Sequence, residues 1–271
     1  MKSFLTLGLG LGLAASAFFA PAHAAPSPGA EDAAFADVAR AISAHAAPDE
    51  AIEICQKALN APAALGSWLP AVKTFAGWNL LRVGRKADAA RIFESALLKS
   101  TAGAKVTPLA RAADRMARRW LTRLDSESVR TALRSYYAQQ IAYPEALEAV
   151  FAAGADLPTK DRFGDAWNYS RADSTAVAGL QGQFFSLTSK SIGRTTPLKK
   201  ALKLSAEYSP LLVKPDLKRS VIEFRADEKG PKGIAQEGGR SVNGFRLVKI
   251  SSGGRFALMT DEDGDLWAIA K

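Results

Sequence analysis

Ten residues, DRFGDAWNYS (161–170), put Asp161 and Asp165 four apart beside an arginine, a glycine and three aromatics. Two carboxylates in one loop are the equipment of acid–base hydrolysis or of a hard-cation site. Glu145 and Glu148 lie three apart on an expected helix and could join them across a cleft between domains. The structural reading needs less. Aspartate beside glycine is the common composition of a tight turn, and Trp167 and Tyr169, alternating with Asn168 and Ser170, mark a strand with one buried face. The turn reading is preferred, so no catalytic residue is assigned. DEDGD (261–265) poses the same choice. It has the first acids of a calcium loop without the distal glutamate, and it reads as a hairpin turn between two apolar runs.

Other chemistry finds little material. Cys55 is the only cysteine, so no internal disulfide can form, and its spacing with Ile52 and Leu59 makes it a small buried hydrophobe. Beyond residue 24 the only histidine is His45, in an alanine-rich helical stretch without a nucleophile-elbow sequence. Cys/His clusters with zinc spacing, phosphate loops and dinucleotide fingerprints are all missing from the sequence. No metal or cofactor is expected.

The elements that must position these residues begin after an export signal. A lysine, an apolar run from Phe4 to about Phe19 and Ala22-His23-Ala24 have the anatomy of a secretory signal peptide cut after about Ala24. The expected location is the periplasm, and no later segment reaches the roughly 20 apolar residues of a membrane span. The net charge of +9 is spread along the chain; its densest patch, RAADRMARRW (111–120), reads as a solvated helix face, or else as attraction to an acidic surface. Export argues against nucleic acid as a partner.

Three blocks follow, giving an α+β multidomain chain. Residues 25–124 are helical, alanine- and leucine-rich, and broken at prolines and glycines. Residues 125–197 begin with an amphipathic helix, capped at Asp125 or Ser126, that ends before Tyr143-Pro144; a short helix and two strands complete a small α+β domain. A linker, 198–214, leads to a small all-β domain, 215–271, whose short strands alternate with glycine-rich turns.

Within the first block, DEAIEICQKALNAP (49–62) and ADAARIFESALLKS (87–100) align on Ala51 and Ala89, with Cys55 and Phe93 four residues on and Ala-Leu after them. This resembles about two tetratricopeptide-type helical repeats, and the residues read equally as a generic α-hairpin bundle; either would present a groove or packing face to another protein. In the second block, Ala132-Leu133, Tyr136, Tyr143-Pro144, Asp161, Gly164, Trp167 and Tyr169 resemble the globular domain of the type II secretion major pseudopilin. That resemblance implies that Asp161 to Gly164 make the turn that starts the sheet and that Trp167 and Tyr169 pack against the long helix. It also implies protein partners in a secretion or pilus-like apparatus. The long apolar N-terminal pilin helix is missing, and Ser191-Ile192-Gly193-Arg194 stands where that family has calcium-holding acids. The last block has a weaker resemblance to periplasmic clamp β domains of such systems. The expected function is therefore a non-catalytic, exported component acting by protein–protein interaction. The alternative is an exported hydrolase or polymer-binding protein using Asp161, Asp165, Glu145 and Glu148.

Overall fold

The computed structural model describes residues 27–98, 106–153, 156–173, 183–205 and 210–271. The expected signal peptide lies outside them.

Prolines that read as helix breaks serve instead as helix starts. Helices α1 (Pro28–Ser43), α2 (Pro48–Leu59), α3 (Pro62–Leu65), α4 (Leu69–Arg82) and α6 (Pro108–Gln140) each carry proline in the first turn, where its missing N–H has no intrahelical partner to lose. Only α5 (Lys86–Ala96) among these begins without one. The helices α2 and α5 that hold the two aligned stretches both pack on α4. Ala51, Cys55, Ala89 and Phe93 are all buried. A Cβ at Gly77 of α4 would stand 2.8 Å from the Phe93 ring, so the close approach of α4 and α5 depends on that glycine.

Helix α6 crosses the expected boundary at 124/125 without a break. Its N-cap is Thr107, whose hydroxyl accepts from the Ala110 amide. Asp125 and Ser126, read as caps, are mid-helix. Asp125 binds Arg162, and the Ser126 hydroxyl accepts from Arg130 Nε. No proline or glycine interrupts residues 109–140, so nothing local stops the helix. Its C-cap is Ile141, with φ 57° and 82% of its surface exposed. The left-handed region costs an ordinary residue about 1–2 kcal/mol, and the exposed side chain recovers little of it. Ile141→Gly should therefore raise stability by about 0.5–1 kcal/mol, read as a higher denaturant midpoint at unchanged slope. A lower midpoint would show that the side chain packs.

Three small antiparallel sheets follow. Beyond α7 (Glu148–Ala153), β1 (Asn168–Asp173) pairs with β2 (Gln183–Thr188), Tyr169 opposite Leu187. The segment read as a linker holds α8 (Leu198–Ser205) and most of β3 (Leu211–Asp216). Strand β3 pairs with β4 (Val221–Arg225) and β4 with β5 (Lys232–Gln236); β6 (Arg246–Ile250), β7 (Phe256–Thr260) and β8 (Leu266–Ala270) form the last sheet. The two three-stranded sheets meet at both ends, β5 beside β6 and β8 beside β3. The chain is thus α+β and multidomain, with a C-terminal all-β unit.

Two hydrophobic cores hold it. The smaller joins Val129 and Leu133 of α6 to Leu147, Val150, Trp167 and Leu187. The larger is shared by the helical block and the C-terminal strands. Phe35 stacks on Trp68 at 4.8 Å, both meet Phe256 edge-on at 5.3 Å, and Trp78 meets Trp267 at 5.8 Å. Polar contacts stitch the same seam: the Ala270 amide donates to Ser43 Oγ, Ser252 to Asp32, and Lys249 to Ser67 while lying over Trp68. Neither half covers these aromatics alone. Among the described residues no helix is long and apolar enough to cross a membrane.

Candidate functional site: two aspartate turns on one helix

The carboxylate loop at 161 has a counterpart at 261. DRFGDAW (161–167) and DEDGDLW (261–267) share the pattern D-x-x-G-D-x-W, and they fold alike. In each, the first aspartate's amide donates to the second one's carbonyl, at 2.8 and 3.1 Å, and the glycine amide donates back to the first carbonyl at 3.0 Å. The amide of the second aspartate donates to Oδ1 of the first, at 3.0 and 2.9 Å. Gly164 and Gly264 have φ 91° and 89°, a conformation that only glycine adopts cheaply. The tryptophan that ends each motif stands at the start of a strand and is buried.

The first turn spends its charge on structure. Asp161 is 4% exposed. Its Oδ1 also accepts from the Phe163 amide at 2.9 Å, and its Oδ2 from Ser189 Oγ at 2.5 Å. Asp165 is half-buried, and among the described residues its carboxylate takes one 3.2 Å contact, from Ser191 Oγ. Trp167 Nε1 donates to the Pro158 carbonyl and the Tyr169 hydroxyl to the Pro144 carbonyl. Tyr143 stacks on Tyr137 at 4.6 Å and meets Phe185 edge-on, while Tyr136 borders the smaller core. Glu145 is exposed and pairs with Arg171 at 3.3 Å; Glu148, also exposed, opens α7. Among the described residues no hydrogen bond or ion pair links either glutamate to the two aspartates. Nor do three or more His, Cys, Asp or Glu side chains gather to hold a metal ion.

Both turns grip α6, on adjacent faces. Arg118, Thr122 and Asp125 face the first: Arg118 donates to the Arg162 carbonyl, Thr122 accepts from the Arg162 amide, and Asp125 takes the Arg162 guanidinium through two bonds. Arg162 also reaches Glu94 of α5 at 2.6 Å. The hydrogen-bonded Asp125 carboxylate holds the Arg162 pKa above its ordinary value. Met116, Arg119 and Arg123 face the second turn. Met116 Sδ accepts from the Leu266 amide, Arg119 pairs with Asp263 at 3.2 Å, and Arg119 and Arg123 each stand 3.7 Å from Asp265. Arg123 lies over the Trp120 ring at 4.1 Å and donates to the Thr195 carbonyl, which ties in the middle unit.

These contacts correct the reading of RAADRMARRW as a solvated face. Arg111 and Arg115 are exposed, but Arg119 is 3% exposed because it faces the acids of the second turn. Burial lowers the Arg123 pKa from its ordinary value. The recurrence of D-x-x-G-D-x-W is a signal present in the sequence that single-loop reasoning passes over. No local pattern distinguishes Arg119 from its solvated neighbours.

Asp261 differs from Asp161 in its second oxygen, which accepts from Trp267 Nε1 at 2.9 Å. Burial, reinforced by the nearby Asp265 charge, raises its pKa to about 6. The folded protein binds this proton more tightly than the unfolded chain does, so the stabilisation is complete below about pH 4 and is lost as pH rises through about 6. A carboxyl-carbon NMR titration should find Asp261 with a midpoint near 6. A midpoint in the ordinary carboxylate range would show the site to be wetter than the geometry implies.

Two surface features remain. A groove of about 580 Å³ runs between α1 and α2, floored by alanines such as Ala34, Ala41 and Ala58. A cleft of about 710 Å³ separates the start of α6 from β6 and the second turn. Cys55 is 1% exposed, and burial pushes its thiol up to about 12, which suppresses thiolate chemistry. No family model, curated protein or solved structure matches this chain.

Proposed function

We propose that the protein is a non-catalytic interaction component, exported to the periplasm and serving a type II secretion or pilus-like apparatus. The observation that carries the interaction reading is how the Asp161 carboxylate is used. Three donors, two amides of its own turn and the Ser189 hydroxyl, fill three of its roughly four acceptor sites, and the group is only 4% exposed, so a substrate proton has no path to it as a general base. The link to a secretion machine rests on the resemblance of 132–169 to the pseudopilin domain, and export rests on residues 1–24.

The test is affinity capture of the tagged full-length chain from its native host, with surface variants in place of truncations. Ala33→Glu and Ala61→Glu, both exposed beside the α1–α2 groove, leave the cores intact. Secretion or pilus proteins recovered with the wild type support the reading, and their loss with either variant places the contact at the groove. Recovery of no protein, together with turnover of a cell-wall or polysaccharide substrate that Asp161→Asn abolishes, would overturn it in favour of a hydrolase.

A further inference from the structure

We infer that the cleft between α6 and β6 is a binding site for an extended acidic peptide segment of a partner protein; this rests on the interaction reading and supplies its chemistry. One wall carries Arg111 and Arg115, one helical turn apart, and the facing wall carries Arg246. All three are exposed. Arg111 donates to the Val106 carbonyl, whereas the Arg115 and Arg246 side chains make no hydrogen bond or ion pair among the described residues. Arg115 lies across the second turn, where a Cβ on Gly264 would stand 3.2 Å from its Nε. The glycine therefore leaves room for the guanidinium as well as making the turn.

The floor is apolar but recessed, with Leu247 fully buried and Val248 7% exposed. The register of β6 against β7 shifts between Leu247 and Lys249, leaving Val248 without a partner on β7, and such a bulge re-aims its side chain. Val248, Leu247 and Ala112 line the cleft. Two carboxylates also line it. Asp261 is buried and engaged by the Asp265 amide and Trp267, while Glu262 lies at the rim near Gly244. Both repel an acid from the turn and leave the arginine-bearing walls as its place.

Spacing selects the peptide. Side chains four apart on a helix have Cβ atoms about 5–6 Å apart, and alternate side chains of an extended chain stand about 6.6 Å apart on one side. Acids at alternate positions thus match Arg111 and Arg115, and the apolar residue between them points to the β6 wall, against the aliphatic stem of Arg246 and the narrow exposed edge of Val248. Arg246 meets the peptide from the other wall. With exposed charges, binding should be modest and salt-sensitive.

The probe is a fluorescein-labelled peptide alternating aspartate with leucine, titrated with the full chain at low ionic strength and followed by anisotropy. The expected result is saturable binding that weakens about tenfold or more in Arg115→Ser/Arg246→Ser, about 1.4 kcal/mol or more, with the circular dichroism of the variant unchanged. An asparagine–leucine peptide should bind far less. Equal binding by the double variant, equal binding of the asparagine peptide, or no binding at all would overturn the site. Displacement of the peptide by stoichiometric inorganic phosphate would also overturn it, as the mark of a free-anion site. In affinity capture, partners retained by the double variant would sink this cleft while leaving the interaction reading standing. Failure of the wild type to capture any protein would sink that reading itself.

Discussion

Trp267→Ala should cost about 3–5 kcal/mol of stability and should loosen the helical block and the C-terminal strands in one transition. The indole is 3% exposed, meets Trp78 of α4 edge-on, and donates to the buried Asp261 carboxylate. Truncation removes a large apolar body and leaves that carboxylate short of one donor, and the two losses act at the same seam. Because Phe35, Trp68 and Phe256 bridge the seam further along, neither side has an alternative surface on which to bury its aromatics. Denaturant unfolding followed by helical circular dichroism, with hydrogen exchange read separately for α1–α5 and β6–β8, checks this. Protection that persists in the helices while the strands exchange freely would show two independent folding units. The shared core also means that deleting 215–271 would expose the helical block, so a partner lost on such a truncation could not be assigned to the β unit.

Asp161→Ala should cost about 3 kcal/mol, while Asp165→Ala should stay within about 1 kcal/mol. Asp161 is buried and takes two amides and the Ser189 hydroxyl; alanine leaves all three donors without their acceptor. Asp165 is half-buried with one long contact, and water can replace that contact at little cost. Asp161→Asn should fall between, since the amide oxygen can still accept the Phe163 and Asp165 amides while its NH₂ faces a hydroxyl able to turn and accept. Midpoints from denaturant melts decide the order. Equal losses for the two alanine variants would mean that Asp165 carries a buried partnership absent from the geometry described.

Much of the local structure is legible in the residues themselves. Alternating residues place Tyr169 and Leu187, because one buried face imposes a period of two; the last two strands, buried on both faces, are legible as short apolar runs between turns. Aspartate beside glycine announces both turns, since only glycine enters that conformation cheaply. The α+β character and the all-β end of the chain follow from such patterns, as does the burial of Cys55.

Local pattern has no access to what a side chain meets across the fold. Asp125 reads as a helix cap because an acid before a helical stretch commonly is one; it is a mid-helix ligand of Arg162, and that depends on a loop 37 residues away. Arg119 has the sequence surroundings of a solvated arginine, and the approach of the 261–265 turn, together with Thr195, buries it. The division at 124/125 and the separateness of 215–271 from the helices were matters of composition alone. A continuous α6 and one shared aromatic core replace them in the fold, because a small sheet and a short helical block each expose more apolar surface than either can bury by itself.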